Sequence, residues 1–158
     1  MGQCWKGVYD METHHSVSCG CDAGKTDHGS KPVVTNIMQA AQQNQNFRTE
    51  FWTGCYLQMT LMCIPVCGEI GAEMHPDTDQ IIRVEEGQAI VRMGDCRESM
   101  DVQCRLCGGD AFFIPGGMWH NVMNNGKCPL KLSSIYAPPQ HPRGTIHRTK
   151  ADAAHKEK

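Results

Sequence analysis

Seven short runs of alternating apolar and polar residues, each bounded by turn signals, constrain this chain more than any other feature. The first is Tyr56–Ile64. On a strand, Leu57, Met59, Leu61 and Cys63 share one side, and Tyr56, Gln58, Thr60, Met62 and Ile64 the other. Gln80–Val84, Gln88–Met93, Val102–Cys107, Ala111–Ile114, Trp119–Met123 and Leu130–Tyr136 follow. Between them stand Glu86-Gly87, Gly94-Asp95, Gly108-Gly109-Asp110, Pro115-Gly116-Gly117 and Asn124-Asn125-Gly126-Lys127. The Asn-Gly pair is the strongest hairpin signal. Short strands at such regular spacing read as an all-β chain closed into an antiparallel barrel or jelly roll. One short helix precedes them, Ile37 to about Gln43, with Asn36 as its N-cap and Ile37, Met38 and Ala41 as its apolar side.

At 158 residues the chain suits one domain. The chain is read as an irregular N-terminal arm over 1–31, a barrel domain over 32–146 and a charged tail over 147–158, of which Lys150 to Lys158 has little to bury. A net charge of −2 disfavours a nucleic-acid backbone as partner. No apolar run is long enough for a membrane helix, and the first 30 residues hold no apolar stretch of the signal-peptide kind. Ten cysteines without an export signal read as reduced thiols in a cytoplasmic protein.

Two stretches carry the chemistry. In the first, Glu73 and His75 are two apart and share a side on a strand, and Gln80 opens the next run. In the second, His120 follows the turn Pro115-Gly116-Gly117. A barrel brings both stretches to one interior surface. Two imidazoles, a carboxylate and an amide oxygen then converge on one metal, a set suited to Fe, Mn, Zn or Ni as divalent ions. Trp119, adjacent to His120, is expected to face away as barrel packing.

At these residues the sequence resembles the cupin family. Gly109, Pro115, Gly117, His120 and Asn124 occupy the fixed positions of that family's second motif. In the first motif His75 holds the second histidine position, and Gly87 closes the motif. Glu73 replaces the first histidine and Gln80 the glutamate, which together keep the ligand charge at minus one. The leading glycine position is Cys67, beside Gly68. The resemblance covers about residues 55–137 and implies a double-stranded antiparallel β-barrel, with metal ligands Glu73, His75, Gln80 and His120. The stretch is similar to small bacterial cupins of the mannose-6-phosphate isomerase-like kind. That implies a small oxygen-rich substrate, such as a sugar or sugar phosphate, and pairing of subunits into a homodimer.

His141 and Tyr136 are the acid/base candidates, and Arg83 is a candidate for binding a substrate carboxylate or phosphate. Two other functions stay open: Fe(II)-dependent dioxygenase chemistry, and metal-dependent small-molecule binding or sensing without turnover. Cys4, His14, His15, Cys19, Cys21 and His28 raise the question of a second zinc site, but Cys-x-Cys lacks common zinc-fold spacing, which favours an exchanged arm. Cys104 and Cys107 have redox-motif spacing but sit in a strand pattern, where a redox role is not expected.

Overall fold

The computed structural model describes residues 27–154. In chain order the elements are α1 (Ile37–Gln43), β1 (Arg48–Thr53), β2 (Gln58–Ile64), β3 (Asp79–Glu86), β4 (Gln88–Gly94), β5 (Val102–Cys107), β6 (Ala111–Ile114), β7 (Trp119–Asn124), β8 (Leu130–Ala137), β9 (Ile146–His147) and α2 (Lys150–Ala154). Every pairing between strands is antiparallel. A six-stranded sheet runs β6-β3-β8-β2-β1-β9, and a three-stranded sheet β5-β4-β7 faces it. This is the expected jelly-roll barrel with a short helix before it. The Asn36 side chain accepts from Gln39 N–H, capping α1 as expected. Ala41 is buried, whereas Met38 stays exposed.

The inward face of each long strand changes character partway along. On β2 the inward residues run Gln58, Thr60, Met62, Ile64. On β3 they run Gln80, Ile82, Val84, and on β8, in the opposite direction, Leu130, Leu132, Ser134, Tyr136. The antiparallel register places Gln58 and Gln80 on either side of Tyr136, and Met62 beside Leu132. One half of the interior is therefore apolar, with Met62, Ile82, Val84, Val91, Val122 and Leu132 in one cluster. The other half is lined with polar groups. The apolar half supplies the core, and the polar half can hold a site.

Three elements escape the alternation pattern. Inward-facing Arg48 and Glu50 make β1 look solvated in sequence, yet both are buried. Composition makes the segment after residue 146 a charged tail, with little to bury from Lys150 on. Instead β9 pairs with β1, His147 is buried, and Ala153 of α2 joins the core. The barrel needs this segment because β1 would otherwise present an open edge. At the other end, His28 N–H donates to Phe51 O at 2.8 Å and Asp27 accepts from Thr53 N–H at 3.1 Å, so residues 27–28 lie along β1. Of the N-terminal Cys/His group, Cys4, His14, His15, Cys19 and Cys21 lie outside the described residues. Seven cysteines are described and all are free, including Cys104 and Cys107 on β5. Among the described residues no helix is long and apolar enough to cross a membrane.

Cys67 carries a φ of 60°, the left-handed region that glycine tolerates and other residues avoid. It occupies the position where the family motif has glycine, and the neighbouring Gly68 does not relieve it. Cys67→Gly is expected to raise stability by about 0.5–1 kcal/mol, with the relief of side-chain strain outweighing the added entropy of the unfolded chain. Urea unfolding of the two proteins measures it; a loss of stability would mean that the Cys67 side chain makes a compensating contact.

Candidate metal centre

The site forms where the segment before β3 meets the start of β7. Glu73 and His120 exchange two backbone hydrogen bonds, each 3.0 Å. Gly117 N–H donates to His75 O at 2.8 Å, tying the turn before His120 to the same segment. Gly117 takes a φ of 83°, which explains why the turn carries glycine there. The extended backbone puts Glu73 and His75 on the same side, and the bridge sets His120 opposite them.

The side chains converge. Glu73 Oε1 lies 3.4 Å from His120 Nε2 and 3.7 Å from His75 Nε2. The two imidazole centroids are 5.7 Å apart. His75 and His120 are buried and Glu73 is half-buried. None of the three facing atoms has a hydrogen-bond partner. The ring of His120 is oriented from behind, with Nδ1 at 3.1 Å from Met118 O. A proton on Nδ1 donated to that carbonyl leaves the Nε2 lone pair facing Glu73. Donors bonded to one cation at roughly 2.1 Å are separated by about 3.0–3.4 Å, so the group is close to the spacing a divalent metal requires. Among the described residues, Glu73, His75 and His120 form the one group of acidic, histidine or cysteine side chains compact enough to hold an ion.

Burial alone would raise the Glu73 carboxyl. The His120 and His75 imidazoles and the Arg48 guanidinium outweigh it and hold the group well below the usual carboxylate range. Arg48 is buried, with Nη2 3.7 Å from Glu73 Oε2. Glu73 is thus an anion at neutral pH.

Gln80 faces inward and is buried. Its Nε2 donates to Ser134 Oγ at 2.9 Å, and its Oε1 is buried without a partner. Tyr136, its register neighbour, packs edge-on to His75 at 5.7 Å and to His141 at 5.1 Å between centroids. Burial pushes the Tyr136 phenol up and lowers His141 to about 3, with Arg48 adding to the latter, so both are neutral at pH 7. Gln58 fixes His141 in place: its Oε1 accepts from Gln140 N–H and His141 N–H, and its Nε2 donates to His141 O at 2.9 Å. A cavity of about 550 Å³ opens in front of the group, lined by Glu73, His75, Trp119, His141, Pro142 and Thr145.

Two expectations need correction. Arg83 points outward, because Gln80, Ile82 and Val84 take the inward positions of β3, and it pairs with Glu85 on the outer face. It is not placed to bind a ligand of this cavity. Trp119 lines the cavity rather than facing away, and the Arg97 guanidinium lies 5.7 Å from its ring centroid. Asn124 of the second motif clasps a turn, donating to the carbonyls of Ile64 and Cys128. The sequence reading missed Arg48, Glu50 and Gln58. For β1 the signal available was Arg48 and Glu50 at alternate positions of a short run flanked by Phe47 and by Phe51-Trp52.

Glu50 is fully buried on β1, and burial pushes its carboxyl up to about 8, against the lowering effect of Arg48 and with a further push from Asp27. A raised carboxyl favours folding below its unfolded value, near 4.5, and that contribution is lost as pH rises through about 8. Glu50→Gln stays neutral throughout. Its thermal midpoint, relative to wild type, should therefore rise between pH 5 and pH 9; groups common to both proteins, His141 among them, cancel in the difference. A difference that stays flat with pH would show that Glu50 is ionised in the folded state.

Comparison with known proteins agrees with this architecture. Residues 60–136 match the family model described as a Cupin domain. The Bacillus subtilis (strain 168) protein YrkC is 50% identical over 127 residues, spanning 80% of this chain and 68% of that one. Protein L612 of Acanthamoeba polyphaga mimivirus is 36% identical over 114 residues, spanning 72% and 69% respectively. The crystal structure of BH2720 from Bacillus halodurans superposes with a TM-score of 0.81 at 52% identity, covering 82% of this chain and 98% of that chain.

Proposed function

Since this chain belongs to the cupin superfamily and gathers Glu73, His75 and His120 at one wall of a cavity, we propose that it is a metal-dependent enzyme of isomerase type. Its substrate would be small and oxygen-rich, such as a sugar or sugar phosphate. The observation that carries this reading is the convergence of three facing atoms, Glu73 Oε1, His75 Nε2 and His120 Nε2, none with a hydrogen-bond partner. Buried polar atoms are costly to leave unsatisfied, and a divalent cation would satisfy all three at once.

Glu73, His75 and His120 would hold the cation, and Gln80 Oε1 would be the fourth protein donor. When bound, a divalent cation supplies Lewis acidity toward a carbonyl oxygen of the substrate. The remaining roles fall to the chain itself. Ser134 holds the Gln80 amide so that its oxygen, not its nitrogen, is free. The Met118 carbonyl selects the His120 tautomer with a lone pair at Nε2. His141, kept neutral by burial and pinned by Gln58, can accept or return a proton at Nε2. Tyr136, a neutral phenol beside it, is the second group able to donate.

Isothermal titration of chelator-stripped protein with Mn(II) tests the reading. One site per chain is expected in wild type. Removing an outer partner of a metal ligand costs roughly 10–100-fold in affinity, so His120→Ala should cost more than about 100-fold. Gln80→Glu replaces a neutral oxygen by an anion and should tighten binding by about tenfold. Wild-type affinity in both His120→Ala and His75→Ala would remove the triad from consideration. Unchanged affinity in Gln80→Glu would leave a site of three protein donors.

A further inference from the structure

Glu73 offers its two carboxylate oxygens to unlike surroundings. Oε1 faces His120 Nε2 at 3.4 Å and His75 Nε2 at 3.7 Å and has no hydrogen-bond partner. Oε2 has Arg48 Nη2 at 3.7 Å. That separation is too long for a hydrogen bond, so what acts across it is charge. Arg48 is buried on β1, where the register sets it between Met62 of β2 and His147 of β9. The backbone of Glu73 is tied down as well, by the two hydrogen bonds to His120. Only the Glu73 side chain is then left to turn.

A carboxylate can meet a divalent cation with one oxygen or with both. At Glu73 the two modes are not equivalent. Bringing Oε2 onto the ion as well would break a buried ion pair, a costly step in an interior of low dielectric. It would also fill a coordination position that a ligand could otherwise take. The guanidinium acts further as a like charge beside the cation, which lowers the affinity of the site for any divalent ion. Its field reaches beyond Glu73, to Glu50, Tyr136 and His141.

We propose that Arg48 is a positioning residue of the metal centre: it restricts Glu73 to one-oxygen ligation through Oε1, and so keeps a coordination position of the cation open toward the cavity. The inference rests on the metal reading above. Its consequence is an ion bound less tightly but more Lewis-acidic, since each anionic oxygen on the ion offsets part of the charge that a substrate carbonyl meets. No ligand has to reach Arg48 for this. It acts through Glu73, which does line the cavity.

Calorimetric titration of chelator-stripped protein with Mn(II) compares wild type, Arg48→Met and Arg48→Lys. Crystal structures of Mn(II)-loaded wild type and Arg48→Met give the metal–oxygen distances. Wild type should hold the ion by one Glu73 oxygen, at about 2.1 Å, with Oε2 outside bonding distance. Arg48→Met should bind Mn(II) at least about tenfold tighter, with both oxygens on the ion. Arg48→Lys keeps the charge and should stay within about threefold of wild type. Both oxygens on the ion in wild type overturn the proposal. So does a folded Arg48→Met that keeps one-oxygen ligation, or whose affinity falls together with that of Arg48→Lys, which would make Arg48 a packing residue. Arg48→Gln, neutral and polar, takes the place of Arg48→Met if that variant does not fold. Wild type that takes up no Mn(II) removes the metal reading itself and this inference with it; uptake in wild type leaves that reading standing whatever the variants do.

Discussion

Two backbone hydrogen bonds between Glu73 and His120 hold the centre of this structure together. They join stretches of chain 47 positions apart in sequence and bring the two imidazole Nε2 atoms within 3.7 Å of Glu73 Oε1. The same contact closes the three-stranded sheet against the segment leading into β3. Fold closure and site assembly are therefore a single event. A barrel that failed to close here would scatter its imidazoles and would leave the β7 end of its core open.

What stands behind that bridge is a division of the interior. The same strands carry polar residues toward one end and apolar residues toward the other, and the antiparallel register lines up like with like. The apolar end contributes the burial that stabilises the fold, at roughly 25 cal/mol per Å² of apolar surface. The polar end spends part of that stabilisation on buried Glu50, Gln80, Tyr136 and His120, groups that stabilise nothing unless bonded. Native folds keep few such groups, and they gather where a ligand completes them. Arg48 shows the balance at one residue: its guanidinium lies beside Glu73 and helps to keep that carboxylate ionised.

Much of this was legible in the sequence because period-two alternation survives burial on one face. Seven of the nine strands among the described residues, the helix α1 and its Asn36 cap stand where the pattern put them, with ends shifted by a residue or two. Glu73, His75 and His120 converge as their spacing and the motif positions suggested. β1 was illegible because Arg48 and Glu50 face inward, and a charge in a short run reads as solvent-facing until its partners are known. β9 and α2 were illegible because two residues and five residues carry no period. Arg83 and Trp119 were misplaced for a related reason. Alternation says that neighbours oppose one another, but it does not say which side of β3 is inside, or that a residue opening β7 can still reach the rim of the cavity.

The central claim is that the Glu73, His75 and His120 group exists to hold a divalent cation. Elemental analysis of the full chain, purified without chelators and without a histidine tag, tests it most directly. The account predicts about one divalent metal per chain in wild type and its loss in His120→Ala. Metal well below stoichiometric amounts in wild type, even after dialysis against Mn(II), Fe(II), Ni(II) and Zn(II) in turn, would contradict it.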